Sequence, residues 1–204
     1  MGAWDNTGVS RGKDLEQRLA RSEQQLRLLQ RLSRYLVRDT PWQTVLQDAV
    51  SMVVEFMECD SCLVYLLDDN ELVLRASNTP HPSTLGKVKL ALNEGLTGWV
   101  ARERRLLAIS REAYNDPRFK FFSDLPEDTY EAFLSAPVIS RQGMEGVINV
   151  QHRDPHSHSG VDMELLGTIG EQLGCLVMLA RVGKTRAENK SAAAAPQLVL
   201  TGEN

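Results

Sequence analysis

Ser61-Cys62-Leu63-Val64-Tyr65-Leu66-Leu67-Asp68-Asp69-Asn70-Glu71-Leu72-Val73-Leu74-Arg75-Ala76-Ser77 is where the chain changes its period. The preceding stretch repeats apolar residues at helical spacing, whereas here two runs rich in Leu, Val and Tyr flank a single turn pair. Asp69-Asn70 tolerates positive φ, so 61–68 and 71–77 read as the two strands of a tight hairpin.

Downstream, Val88, Leu90 and Leu92 alternate with Lys87 and Lys89, which predicts a strand over 87–92 with one wet face. A short helix over 94–103, a strand over 106–109 and a long polar loop over 110–131 follow. Residues 133–140 and 146–152 form a second hairpin around 141–145. In its latter strand Ile148, Val150 and His152 face one way and Val147, Asn149 and Gln151 the other. After a loop over 154–160, a final helix over 161–183 carries Leu165, Leu166, Ile169, Leu173, Leu176, Val177 and Ala180 on one stripe.

Upstream, Val45, Leu46, Ala49, Val50, Val53, Val54 and Met57 predict a helix over 42–57, with Thr40 as N-cap and Pro41 in its first turn. Residues 13–37 contain neither Gly nor Pro and predict one long helix. Leu15, Leu19, Leu26, Leu29 and Leu36 fit a 4-3 repeat if Ser22 and Ser33 are seam positions, which suggests a short coiled coil; Leu28 and Leu32 widen the stripe. The element order implies an α+β fold: an antiparallel β-sheet with terminal helices packed on one face, and a short helix plus a long loop over a pocket on the other. The expected organisation is a flexible N-terminus at 1–12, a signalling or dimerisation helix at 13–38, one domain at 40–183 and a disordered tail at 185–204.

With 204 residues, 42% hydrophobic and 25% charged, the chain is neither wholly disordered nor collagen-like nor a disulfide miniprotein. The longest unbroken apolar runs, 62–67 and 175–180, fall well short of the roughly 18 residues of a membrane span. The polar start lacks a secretory pattern, and three cysteines then imply reduced thiols in the cytoplasm. The net charge of −4 hides an asymmetry: 11–38 hold eight basic and three acidic residues, +5 in all, which leaves −9 for the rest. An acidic body disfavours nucleic acid as a partner.

Cys59 and Cys62 have CxxC spacing, but they join a helix C-terminus to a strand, unlike a redox pair at a helix N-terminus. His152, His156 and His158 could supply imidazoles, yet no second cysteine pair accompanies them. They read as loop histidines at the surface, and no metal site is assigned. No phosphate-binding loop, dinucleotide fingerprint, kinase signature or helix-turn-helix is present in the sequence.

Glu94-Gly95-Leu96-Thr97-Gly98-Trp99-Val100-Ala101, then Asn115-Asp116-Pro117-Arg118-Phe119, then Ala136-Pro137-Val138 leading into Gly146-Val147-Ile148-Asn149-Val150, and last Met163-Glu164-Leu165-Leu166 carry a likeness. In joint order and spacing they resemble the GAF domain family of small-molecule sensor modules, over about residues 28–182. The resemblance implies a bacterial signalling module whose first and last helices lie together on one sheet face, commonly as a parallel dimer bundle. It implies a homodimer through 13–38 and 161–183, an unidentified small-molecule ligand on the opposite face and a partner signalling protein, with neither nucleic acid nor membrane. Family members take very different ligands, so the cofactor is left open.

The expected ligand-binding residues are Gly95, Leu96, Thr97, Trp99, Asn115, Asp116, Arg118, Phe119, Tyr130, Asn149 and Gln151. The start of the short helix offers free N–H groups and a positive dipole end, which suits an anion or a carbonyl. Trp99 is either a pocket wall or plain core. Phe119, Phe121, Phe122 and Tyr130 either anchor the loop or close over a ligand. Asp116 before Pro117 also makes an ordinary turn, and Arg118 a simple ion pair. Asn149 and Gln151 place polar groups on a sheet face, and at least one of them is expected to line the cavity. The family includes free methionine-(R)-sulfoxide reductases, but none of the three cysteines falls in the pocket loops. No catalytic residue and no enzyme are therefore expected. A ligand-free module for protein interaction, its pocket filled by Trp99 and the loop aromatics, is the alternative.

Overall fold

The change of period at residue 61 appears in the computed structural model as the step from helix to sheet. The structure describes residues 6–38, 40–78, 85–120 and 130–193, without the side chains of 6–11 and 184–193. Its elements are α1 (Asn6–Arg34), α2 (Trp42–Met57), β1 (Ser61–Asp68), β2 (Glu71–Ser77), β3 (Lys89–Ala91), α3 (Gly95–Glu103), β4 (Leu107–Ile109), β5 (Ala132–Ser140), β6 (Gly143–His152) and α4 (Gly160–Ala193). Asp69 and Asn70 close the first hairpin with φ of 44° and 72°, the left-handed pair that matches strand twist.

The six strands form one antiparallel sheet in the order β3-β2-β1-β6-β5-β4. Strand alternation divides the core in two. Cys62, Val64, Leu66, Leu134, Ala136, Ile148 and Val150 face the terminal helices. Leu63, Tyr65, Leu72, Leu74 and Val147 face α3, where Val100 and Ala101 complete the second core. Both expected layers are present, and the fold is α+β.

α4 covers β5 and β6 with Leu165, Leu166, Ile169, Leu173 and Val177, all buried. Its approach is set by glycines rather than by the stripe alone. A Cβ on Gly174 would stand 2.0 Å from the Ile139 carbonyl oxygen, and one on Gly170 would stand 2.4 Å from that of Pro137. The 24 residues 160–183 are also long enough to cross a bilayer and contain an 18-residue window of mean hydropathy 1.4, which short unbroken runs do not reveal. Here the apolar stripe of that segment is the lid of the sheet.

Several expected details differ. α1 begins at Asn6 instead of residue 13, and α4 continues to Ala193, into the stretch expected to be a loose tail. The N-cap of α2 is Pro41 rather than Thr40: the Pro41 carbonyl accepts from the Thr44 and Val45 N–H groups, at 2.9 and 3.2 Å, while Thr40 N–H turns back to Arg38. The second hairpin turns through two residues rather than five, because β6 starts at Gly143 and absorbs Glu145 as a bulge between Met144 and Gly146. Glu145 is thereby buried, accepting from Ser140 Oγ at 2.7 Å and meeting the Arg181 guanidinium of α4 at 3.1 Å.

The leucine stripe of α1 splits in two. Leu28 and Leu32 are buried in the helix-side core and Leu29 packs against its edge. Leu15, Leu19 and Leu26 remain 62%, 62% and 57% exposed, and Leu36, Leu179 and Val182 are exposed as well.

Candidate ligand-binding site

α3 is the element on which the site is built. Gly95 opens it with a φ of +67°, which a side-chain-bearing residue rarely adopts, and the helix crosses the sheet face with Val100 and Ala101 inward. Leu96 is buried beside Ala113 and Phe133, with Phe119 packed against them. Gly95, Trp99 and Arg102 lie at i, i+4 and i+7, one stripe on the side of α3 turned toward residues 117–120. With Asn93, Glu94, Pro117, Arg118, Phe119 and Lys120 they line a cavity of about 400 Å³.

Charge is concentrated there and is internally matched. Asp116 accepts from Arg118 Nε and Nη2 at 2.8 and 2.7 Å, and from the Arg118 N–H at 2.9 Å. The hydrogen bond from Arg118 holds the Asp116 carboxyl below the usual carboxylate range. The same guanidinium lies 4.7 Å from the centre of the Trp99 ring, a cation–π contact. Lys120 donates to Glu94, whose other oxygen accepts the Ala91 N–H at 3.1 Å, and both bonds hold the Glu94 carboxyl low. An anion entering the cavity therefore meets three cations, Arg102, Arg118 and Lys120, and a helix start, and competes with Glu103, Asp116 and Glu94 for them.

Of the expected residues, Gly95, Trp99, Arg118 and Phe119 line this cavity, and Asp116 holds Arg118 from behind. Leu96 and Thr97 are buried on the sheet side of α3, and Asn115 is exposed on the turn before Asp116. Tyr130 is buried just before β5 and is not among the described lining residues. Phe121 and Phe122 lie outside the described residues. Glu94, Arg102 and Lys120 were not anticipated, although the i, i+4, i+7 spacing from Gly95 would have pointed to Arg102.

Asn149 has a different place from the expected one. It is buried between strand and helix, where its Nδ2 donates to Thr97 Oγ1 at 2.8 Å and its Oδ1 accepts from Ser135 Oγ at 2.7 Å. A Ser135–Asn149–Thr97 chain thus ties β5 and β6 to α3. It is a clamp beneath the cavity, and Gln151 is likewise not among the described lining residues.

The cysteines lie on the opposite face. Cys59 and Cys62 are free and buried; burial pushes the Cys59 thiol up to about 12 and the Cys62 thiol well above its ordinary value. The three histidines were expected at the surface, but His152 and His158 are buried, and burial lowers both, His158 to about 4.

An antiparallel sheet backed by helices from both ends of the domain, with a short helix and residues 117–120 bordering a small open cavity on its other face, defines the GAF-like class of α+β modules. The chain belongs to the GAF domain family, whose profile matches residues 41–177. Among solved structures, the GAF domain from Acinetobacter phosphoenolpyruvate-protein phosphotransferase superposes with a TM-score of 0.70 at 28% identity, covering 78% of this chain and 95% of that one. The GAF domain of the corresponding protein of Coxiella burnetii superposes with a TM-score of 0.73 at 23% identity, covering 80% and 98%. Free methionine-R-sulfoxide reductase from Neisseria meningitidis shares the fold, with a TM-score of 0.63 at 19% identity, covering 76% of this chain and 89% of that one. A phosphoenolpyruvate-dependent phosphotransferase system protein of Salmonella typhimurium is 27% identical over 131 residues, 62% of this chain and 17% of that protein. The chain thus spans less than a fifth of that relative.

Proposed function

We propose that this GAF domain is a regulatory, non-enzymatic sensor that binds a small anionic ligand in the cavity between α3 and residues 117–120, and signals through paired terminal helices in the cytoplasm. The observation that carries the reading is Arg118, stacked on Trp99 beside the α3 N-terminus and balanced by one exchangeable partner, Asp116. A ligand that takes Arg118 from Asp116 repositions the loop over Gly95. α3 is clamped to β5 and β6, and α4 lies on the reverse of those strands, so the two faces share a rigid link. Likeness to GAF domains of phosphoenolpyruvate-protein phosphotransferases supports a partner in phosphotransfer signalling. Buried thiols of raised pKa on the opposite face support a non-reductase role.

The test is a thermal-shift and native mass-spectrometry screen with nitrate, inorganic phosphate, acetate, free amino acids and cyclic nucleotides. A ligand at 100 times its dissociation constant adds about 2.7 kcal/mol, a rise of roughly 5–10 °C in melting temperature for a chain of this size. Arg118→Ala and Trp99→Ala are expected to abolish the shift. No shift with any probe favours the ligand-free interaction module, for which the existing ion pairs around the cavity speak.

The proposed dimer joins α1 and α4 of two chains through the exposed leucines. Leu19→Glu with Leu26→Glu is expected to give monomers in light scattering with an unchanged fold by circular dichroism, because both side chains are exposed. A persistent dimer would place the interface elsewhere.

A further inference from the structure

The alternation of β6 puts His152 on the same sheet face as Ile148 and Val150, at the rim of the helix-side core. The connection to α4 then turns back over it, pinned where the His156 N–H donates to the Ser110 carbonyl at 2.9 Å. His156 and His158 are thereby brought against His152. The rings of His152 and His156 stack with centroids 3.9 Å apart, and His158 stands 5.2 and 4.8 Å from them. One ring nitrogen from each lies within 4.8 Å of the other two.

Two observations separate this cluster from ordinary loop histidines. His152 and His158 are only 6% and 8% exposed, and the Nε2 atom of each is buried without a hydrogen-bond partner. A buried polar nitrogen left unpaired is costly, and native cores avoid it unless something else satisfies it. The third member, His156, is only half-buried and borders a cleft of about 640 Å³ between α1 and the start of α4. Asp162 lines the same cleft, its carboxylate oriented by Ser159 Oγ at 2.7 Å and Arg21 at 2.5 Å. The cluster therefore has two fixed ligands, one adjustable ligand, a solvent entrance and a nearby oriented carboxylate.

We propose that His152, His156 and His158 bind one divalent transition-metal ion of the zinc class, with the fourth coordination position facing the cleft. Three imidazoles without thiolate or hard oxygen ligands suit zinc, nickel or copper rather than calcium or magnesium. Zinc–nitrogen bonds of about 2.0–2.1 Å bring tetrahedral ligand atoms to about 3.3 Å from one another. Contraction from the present spacing falls to His156, which unstacks from His152 by rotating its half-buried side chain at the edge of the cleft. The site lies on the helix side of the sheet, independent of the cavity between α3 and residues 117–120. A bound ion there would tie the end of β6 to the beginning of α4.

The test uses the full chain, stripped with EDTA and desalted. Zinc sulfate is titrated in competition with a chromogenic chelator, and cobalt(II) is added in parallel to read its visible ligand-field absorption. The expected result is one zinc per chain, tetrahedral cobalt absorption, and a raised melting temperature. His156→Ala should weaken zinc binding roughly 100-fold while changing the metal-free melting temperature little, since the side chain it removes is only half-buried and at the edge of the cleft. Cys59→Ser, which breaks the Cys59–Cys62 CxxC pair, should bind zinc as the parent does. The proposal is overturned if the parent chain takes no zinc from the chelator, or if His156→Ala loses less than about tenfold in affinity.

Discussion

Gly174→Val is expected to destabilise the domain by about 3 kcal/mol or more, a fall of roughly 6–12 °C in melting temperature. The reason is contact with backbone and not with a flexible side chain: the first added carbon already falls 2.0 Å from the Ile139 carbonyl oxygen. Ile139 is itself held by its pairing with Met144 of β6, whereas β4 pairs only with Phe133, Leu134 and Ser135 of β5, so the strain falls on that pairing and on the seat of α4. α4 must lift, and lifting it uncovers Leu166, Ile169 and Leu173 together. Gly167→Ala is the matched control. A Cβ there meets nothing within 4 Å, so the change should be neutral or stabilising by up to about 1 kcal/mol. Thermal and urea unfolding of the two variants checks both; equal effects would show that α4 is not seated on β5 as described.

Asn149→Val is expected to cost about 2–4 kcal/mol, read from urea denaturation. Val suits the strand, but it leaves the Ser135 and Thr97 hydroxyls without their partner in a buried site. Removing the whole network should cost much less than removing its centre. The triple variant Asn149→Val, Ser135→Ala, Thr97→Val is therefore expected to recover most of the loss, a non-additivity that marks the three as one unit. Ligand binding to Asn149→Val should be weakened through the position of α3. Full additivity of the three substitutions would contradict the clamp.

The arrangement of the protein was legible wherever a single period ran long enough to decide an element. The seven-residue and eight-residue runs on either side of Asp69-Asn70 gave a hairpin, and the bounds of α2 at Trp42 and Met57 follow from its apolar repeat. The bulge at Glu145 was not legible, because a polar residue before a β-run reads as turn; only its burial against Arg181 makes it part of the strand. The site was legible in part. Gly95, Trp99, Arg118 and Phe119 were singled out at the motif positions of the family resemblance and line the cavity, although plain core for Trp99 and a simple ion pair for Arg118 were open readings, whereas Lys120 and Glu94 look like ordinary surface charges until they pair across the cavity.

The sequence by itself determined the element order, the antiparallel sheet with helices on one face and the family, since these depend on local period and on motif spacing along the chain. Tertiary structure alone decided which polar side chains had company. Asn149 became a clamp when α3 brought Thr97 over it, and the surface-looking histidines became a cluster with two buried members when the loop after β6 folded back. It also decided that Gly170 and Gly174 were contact points, since a glycine in a helix reads as a weakness until another backbone lies against it. Period is a property of neighbours in sequence, and burial, pairing and close approach are properties of neighbours in space.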